Sequence, residues 1–129
     1  MNPLEAIADA IMHFEGWVPG SRSYRDRNPG NLEGPSKRAL GKDGVYNHYS
    51  SLIDGYQDLL DELKAKFSGN NKHGIGPDST LLDLFNVYAP PSDNNPTNKY
   101  CEFVADFASH ALGMNIEVGT VLKDIWVAS

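Results

Sequence analysis

Glycine and proline are concentrated in one stretch of this 129-residue chain, from position 16 to position 50. The stretch contains glycines at positions 16, 20, 30, 34, 41 and 44 and prolines at positions 19, 29 and 35. Because these residues interrupt helices, we predict loops and a short hairpin ending in Gly44, Val45 and Tyr46, and no long helix. An irregular segment of this length inside a compact domain is usually functional.

Helical patterns flank this stretch on both sides. Asn2 followed by Pro3 is typical of an N-cap and a first helical residue, and the apolar pattern then runs to about Phe14. A second apolar stripe covers residues 52–67 and is closed by Gly69, which suits a residue just beyond a helix end. We expect this second helix to be the central buried helix.

Three further helices are predicted in the second half of the chain. The first covers residues 81–88, with Asp78 or Ser79 as its cap and Pro90 and Pro91 as its stop. The second begins with Asn95 and Pro96 and ends at Gly113. The third is a short helix over 121–127.

The size and composition of the chain predict one globular domain, residues 1–129. Hydrophobic residues make up 40% and charged residues 22% of the sequence, which is the ordinary globular range.

The single cysteine, Cys101, excludes an internal disulfide. It lies nine residues from His110, at the far end of about two and a half helical turns, so a Cys/His catalytic pair is not expected. The histidines show no metal-binding spacing, and we predict no metal and no cofactor.

The formal net charge of −6 argues against nucleic acid as a partner. Positive charge is nevertheless concentrated in one stretch, which presents either a basic surface to an anionic polymer or a solvated loop of mixed charge. Its basic residues are Arg22, Arg25, Arg27, Lys37, Arg38 and Lys42, and its acidic residues are Asp26, Glu33 and Asp43.

The first residues do not form a secretory signal, since Met1 leads directly into an amphipathic pattern that contains Glu5, Asp9 and Glu15. No apolar stretch approaches the roughly 18 residues that a membrane span needs. We therefore expect no membrane insertion.

Glu15 is the residue most suggestive of chemistry. On a helical wheel it follows Ile11 by four residues and Ala8 by seven, so it continues the buried stripe at the point where Gly16 ends the helix. Partial burial and the negative end of the helix should both raise its pKa, as a general acid for glycoside cleavage requires. From the pattern alone, the alternative is a carboxylate that merely extends into solvent at a helix end.

Four blocks of sequence resemble the lysozyme-like lytic transglycosylases and muramidases of bacteria and phages. The blocks are HFEGW at 13–17, SRSYRDRNPGNL at 21–32, the Gly-rich turn at 44–46, and YAPPSDNN at 88–95. The resemblance implies a mainly α, lysozyme-like α+β fold, with about five helices around a central buried helix and the Gly/Pro-rich region as one wall of a cleft. It implies cleavage of the MurNAc-GlcNAc strand of peptidoglycan, with Glu15 as the catalytic acid.

The same resemblance implies roles for the remaining site residues. Asn28 and Asn31 would bind sugar hydroxyls or N-acetyl groups, although both also suit turns. Tyr88 would face the catalytic glutamate, although its spacing from Leu84 and Phe85 equally suits core packing.

The acidic and amide residues at 93–95 have two interpretations. Asp93, Asn94 and Asn95 would bind N-acetyl groups or cap the following helix, and capping is the better interpretation for Asn95.

Two reactions remain open at this point. A two-carboxylate hydrolase needs a second acid about 5 to 9.5 Å from the first, and Asp26 and Asp93 are the candidates. A lytic transglycosylase needs one carboxylate, because the 6-hydroxyl of the sugar itself attacks. The lack of an obvious second acid favours the transglycosylase.

Two non-enzymatic functions compete with this interpretation. One is a catalytically inactive phage structural or glycan-binding protein of the same fold, and the other is a small interaction protein whose Arg-rich loop meets an acidic partner. For the enzyme we expect a monomer made in the cytoplasm, with peptidoglycan strands as its partner. It would reach the cell wall or periplasm by a holin, a virion or a secretion system, unless a signal has been removed.

Overall fold

The structure, a computed structural model, describes residues 1–128 and is mainly helical. Helices account for 49% of the residues, and the described part contains five α-helices and one small two-stranded sheet. The elements are α1 (Pro3–Phe14), α2 (Arg22–Arg25), β1 (Gly41–Asp43), β2 (Tyr46–His48), α3 (Leu52–Ser68), α4 (Leu81–Tyr88) and α5 (Thr97–Leu112), with 3₁₀ turns at Pro91–Asp93 and Leu122–Asp124.

Helix α1 begins as the sequence predicts. The Asn2 side chain accepts the Glu5 backbone N–H at 2.9 Å, and the Glu5 carboxylate accepts the Asn2 N–H at 2.9 Å, which completes a capping box. One face of α1 is fully buried, and the helix packs against both α3 and α5. The central position therefore belongs to α1, and the prediction that the helix over 52–67 is central is wrong, since α3 buries only one stripe.

Helix α3 has the predicted bounds. Ser51 caps its first turn, and Gly69 ends it with a left-handed φ of 85°. Gly55 allows the segment before the hairpin to approach the helix, since a Cβ at this position would lie 2.0 Å from the Arg27 carbonyl oxygen. The close contact fixes the loop that carries residues 27–32 against α3.

The caps of α4 and α5 differ from the predictions. Thr80, and not Asp78 or Ser79, caps α4, because its hydroxyl and the Asp83 carboxylate form a capping box. Helix α5 begins after Pro96 without a side-chain cap. The Asn95 amide instead donates to the Pro90 carbonyl oxygen at 3.0 Å, so the expected capping role of Asn95 is wrong.

The Gly/Pro-rich stretch contains the expected hairpin and one helix that was not predicted. Strands β1 and β2 pair antiparallel in the register Gly41↔His48 and Asp43↔Tyr46, so Gly44 and Val45 form the turn between them. The four-residue helix α2 follows the Ser21 N-cap. Near the chain end, the predicted helix over 121–127 is replaced by the short 3₁₀ turn.

One hydrophobic core joins α1, α3, α4 and α5. Its largest buried side chains include Phe67, Phe85 and Tyr100, and Leu122 of the last 3₁₀ turn also contributes. Within residues 1–128, none of the helices has the length and apolar character needed to cross a membrane.

Candidate active site

Glu15 lies at the C-terminal end of α1, where its backbone N–H still donates to the Ile11 carbonyl oxygen at 2.9 Å. Its carboxylate accepts two side-chain hydrogen bonds, from Asn31 Nδ2 to Oε1 at 3.1 Å and from the Tyr100 hydroxyl to Oε2 at 2.9 Å. Burial raises the pKa of Glu15 above its ordinary value of 4.5, although these bonds and the charge of Arg22 act in the opposite direction. The position and the raised pKa agree with the helical-wheel argument.

Tyr100 is the site residue that the sequence analysis missed. It lies on α5 and is almost completely buried, with its ring stacked on Phe14 at a centroid distance of 4.0 Å. In the sequence, Tyr100 lies with Val104 and Ala108 on an apolar stripe of α5, which indicates only a core position. A tyrosine among buried apolar residues was nevertheless a signal, because a buried phenolic hydroxyl needs a hydrogen-bond partner. Here that partner is Glu15.

Tyr88, which the resemblance placed opposite the glutamate, has a different partner. Its hydroxyl donates to the Gly30 carbonyl oxygen at 2.6 Å, and burial raises the pKa of this hydroxyl. Gly30 is required there, because a Cβ would lie 2.6 Å from the Tyr88 hydroxyl and 2.8 Å from Leu59 Cδ1. Tyr88 therefore holds the loop that presents Asn31, while Tyr100 contacts the glutamate directly.

The two asparagines of the NPGNL block are placed differently. Asn31 adopts a left-handed φ of 50° and directs its amide nitrogen to Glu15. Asn28 is 0% exposed, and its side chain bonds both the Leu32 N–H and C=O at 2.9 Å and the Asn47 carbonyl oxygen at 3.0 Å. Asn28 therefore shapes the loop, and a direct contact with a sugar does not fit its burial.

Glu15 opens into a pocket of about 1250 Å³. The wall comes from the end of α1, the loop at 30–38, the hairpin, α3 with the loop that follows it, and the end of α4. The lining residues are Glu15, Arg22, Gly30–Arg38, Val45–Asn47, Asp58, Asp61, Glu62, Lys66, Asn71–His73, Val87–Ala89, Asp93 and Asn95. Polar side chains thus line the pocket from several directions, as an extended, hydroxyl-rich ligand would require.

The two candidates for a second carboxylate occupy different environments. Asp26 is buried but does not line the pocket, and its Oδ1 lies 3.5 Å from His48 Nδ1. Burial raises its pKa, and the neighbouring Asp43 acts in the same direction. Asp93 is exposed and lines the pocket, whereas its neighbour Asn94 is exposed, ends the 3₁₀ turn with a φ of 64° and is not part of the lining.

Most of the other acidic side chains that line the pocket form hydrogen bonds or ion pairs with neighbouring residues. Asp58 accepts hydrogen bonds from Ser36, from Tyr49 at 2.7 Å and from Arg38 at 2.6 Å. Burial alone would raise the pKa of Asp58, but these bonds outweigh it and the pKa is lowered. Lys66 pairs with Glu62 one helical turn away. Asp58 and Glu62 therefore line the pocket with their side chains already paired.

The basic stretch is partly neutralised within the fold. Arg25 pairs with Asp43 at 2.6 Å, Arg38 with Asp58 and Asp61, and the Lys42 ammonium donates to Asn47 Oδ1 at 2.6 Å. Half of the predicted basic surface is therefore bound internally. This weakens the hypothesis of an Arg-rich docking surface for an acidic partner.

Two other kinds of chemistry, a cysteine nucleophile and a metal site, were considered from the sequence. Cys101 is buried, and burial raises the pKa of its thiol to about 12, which disfavours a thiolate nucleophile. Within residues 1–128 no group of three or more histidine, cysteine, aspartate or glutamate side chains is arranged to hold a metal ion.

Comparison of the chain with protein-family models, with curated proteins and with solved structures finds no match.

Proposed function

We propose that this protein cleaves the glycan strand of peptidoglycan, with Glu15 as the general acid and the pocket as the substrate cleft of a lysozyme-like fold. One observation supports this most directly. Glu15 is a partly buried carboxyl with a raised pKa that opens into a polar pocket and is held by two side-chain hydrogen bonds. A general acid for glycoside cleavage needs this combination of burial, orientation and access.

In the proposed reaction, the protonated Glu15 carboxyl gives its proton to the glycosidic oxygen as the bond from that oxygen to the anomeric carbon breaks. The resulting Glu15 carboxylate then takes the proton from the 6-hydroxyl of the same sugar, whose oxygen bonds to the anomeric carbon. The product ends in 1,6-anhydro-muramic acid, and Glu15 regains its proton. Asn31 and Tyr100 hold the two carboxylate oxygens in place through both steps.

The placement of Asp26 supports the transglycosylase over the hydrolase. Asp26 does not line the pocket that Glu15 lines, and Asp93 is exposed, with no side-chain partner among residues 1–128. A muramidase mechanism would depend on Asp93, or on a water held elsewhere in the pocket, to supply the second function. We therefore propose the one-carboxylate route as the main reaction and hydrolysis as the alternative.

The proposal is tested by mass spectrometry of the soluble products released from purified peptidoglycan. The wild-type protein, a Glu15→Gln variant and a Glu102→Gln variant are compared, because Glu102 is an exposed glutamate of α5 outside the pocket. We expect 1,6-anhydro-muramic ends from the wild-type and Glu102→Gln proteins, and none from Glu15→Gln. Reducing ends would indicate hydrolysis.

If the wild-type protein releases no product, the proposal that it cleaves peptidoglycan is rejected. If the protein then still bound the insoluble polymer, it would be the catalytically inactive glycan-binding or structural protein.

A further inference from the structure

Among residues 1–128, Arg22 is the arginine of the pocket lining that has no acidic partner. It is the first residue of α2, it is exposed, and it lines the same pocket as Glu15. Among residues 1–128, no carboxylate oxygen lies within 4.0 Å of its guanidinium, and its side chain donates no hydrogen bond. Arg38, the other arginine of the lining, is bonded to Asp58 at 2.6 Å and to Asp61 at 2.7 Å.

The Arg22 guanidinium is held in place by an aromatic ring. Its Cζ lies 3.7 Å from the centroid of the Tyr46 ring, on strand β2. Stacking on an aromatic face uses the plane of a guanidinium and leaves the N–H groups along its edges free. The arginine is therefore oriented at low entropic cost while its donors stay unoccupied.

Free guanidinium edges match a carboxylate or a phosphate group, and the peptidoglycan strand of the proposed function carries carboxylates. Two parallel N–H groups bind the two oxygens of a carboxylate, which adds geometric specificity to the attraction of opposite charges. Lys37 and Lys72 also line the pocket, but an ammonium on a flexible stem offers no such fork. Arg22 is also close enough to Glu15 for its charge to act on that carboxyl.

We propose that Arg22 is a substrate-binding residue that takes a carboxylate of the glycan strand next to the bond that Glu15 cleaves. This inference rests on the proposed function and names a specificity determinant for it. In peptidoglycan the carboxylate has two sources, the lactyl group of a muramic acid without its stem peptide, or the stem peptide itself. In the first case, the reaction that supplies the substrate is an amide hydrolysis that frees the lactyl carboxylate.

Binding measured without turnover tests the inference. The Glu15→Gln protein and a Glu15→Gln/Arg22→Gln protein are titrated with three soluble strands: peptide-bearing strands, peptide-free strands, and peptide-free strands whose carboxylates have been converted to methylamides. The matched control is Glu15→Gln/Arg27→Gln, because Arg27 is an exposed arginine of the same segment that does not line the pocket. It separates a specific contact from a change in net charge.

We expect the Arg22→Gln change to weaken binding of a carboxylate-bearing strand about 10- to 100-fold. The loss should vanish on the methylamide strand and be absent with Arg27→Gln. A loss on peptide-free strands assigns the lactyl carboxylate, and a loss confined to peptide-bearing strands assigns the stem peptide. Equal affinities with and without Arg22, or an equal loss on the methylamide strand, would overturn the inference.

Two variants of Tyr46 separate ligand binding from a structural role of the stack. Tyr46→Phe keeps the ring and should keep the affinity, while Tyr46→Leu removes the ring and should weaken binding of carboxylate-bearing strands only. Thermal unfolding confirms that each variant is folded. Cleavage of peptidoglycan by the wild-type protein is measured separately, so absence of cleavage rejects the proposed function, whereas an unchanged affinity of Arg22→Gln rejects only the carboxylate contact.

Discussion

The Tyr100 hydroxyl donates a 2.9 Å hydrogen bond to Oε2 of Glu15, and this bond joins α5 to the end of α1 across 85 residues of sequence. The hydroxyl of this buried residue reaches the carboxyl, while its ring belongs to the core. The bond lowers the pKa of Glu15, and burial raises it by more. The balance between these two effects sets the pH range over which Glu15 keeps its proton.

The first prediction is that Tyr100→Phe extends activity to higher pH. The variant keeps the ring but removes a donor to the Glu15 carboxylate, so the pKa of Glu15 rises further. Because an acid catalyst must be protonated, the basic limb of the kcat/KM profile should move to higher pH. The lost hydrogen bond should also cost about 0.5–1.5 kcal/mol of stability.

The matched control for this change is Tyr56→Phe. The Tyr56 hydroxyl donates to Asp9 Oδ1 at 2.7 Å, and neither residue lines the pocket. A similar loss of stability is expected, without movement of the basic limb. A basic limb that stays in place, or moves to lower pH, in Tyr100→Phe would show that the bond does not govern the acid.

The second prediction concerns stability and pH. Since the pKa of Glu15 in the folded protein lies above its ordinary value of 4.5, the folded state binds the proton more tightly than the unfolded state. The stability contributed by Glu15 is therefore complete below pH 4.5 and is lost as pH rises through the folded pKa. Glu15→Gln should gain stability relative to wild type over this window, as denaturant titrations at several pH values will measure. A difference that is constant with pH would contradict a raised pKa.

The third prediction concerns Gly30→Ala. A Cβ would lie 2.6 Å from the Tyr88 hydroxyl and 2.8 Å from Leu59 Cδ1, so the loop or these two side chains must shift, and we expect the bond from Asn31 to Glu15 to be disturbed. We expect a destabilisation of about 1–3 kcal/mol and reduced cleavage. Gly34→Ala is the control for stability, because no atom lies within 4 Å of its Cβ position, and its effect should stay within about 0.5 kcal/mol. Similar stability losses in both variants would contradict the proposed close approach.

Local sequence patterns predicted the four longer helices, α1, α3, α4 and α5, because their signals are local. The Asn2 cap, the apolar stripe of α3 and the left-handed Gly69 all act within a few residues of one another. The same patterns failed where several residues could serve one role. Thr80 was a better cap than Asp78 or Ser79 because Asp83 completes its capping box, a spacing that the sequence did contain.

The candidate site was predictable only in part, because it is assembled from distant segments. The period of α1 indicated that Glu15 continues the buried stripe, and the family resemblance implied its role as the acid. Its bonds to Asn31 and Tyr100 depend on how α1 packs against α5 and the loop, which no local period encodes. The resemblance placed Tyr88 opposite Glu15, but the Tyr88 hydroxyl donates to the Gly30 carbonyl oxygen. The hydroxyl that contacts Glu15 is that of Tyr100.

The fourth prediction distinguishes the two candidates for a second carboxylate. Asp26 is buried outside the pocket, and Asp93 is exposed on its wall. For the one-carboxylate reaction, Asp93→Asn should keep the 1,6-anhydro product, and so should Asp26→Asn at temperatures where it is folded. Product analysis by mass spectrometry is the measurement. If the wild-type product has reducing ends and only Asp93→Asn abolishes release, Asp93 is the second carboxylate of a hydrolase.

The fifth prediction is that Asn28 acts on the fold and not on the sugar. Asn28→Ala leaves the Leu32 N–H and the Asn47 carbonyl without their side-chain partner and removes one of the two donors to the Leu32 carbonyl oxygen, at a position where Asn28 itself is fully buried. We expect a loss of about 2–4 kcal/mol in the free energy of unfolding, against less than about 0.5 kcal/mol for Asn98→Ala on the exposed face of α5. Strand binding, measured in the Glu15→Gln background at a temperature where the variant is folded, should be retained. An Asn28→Ala protein with wild-type stability and weakened strand binding would instead indicate that Asn28 contacts the substrate.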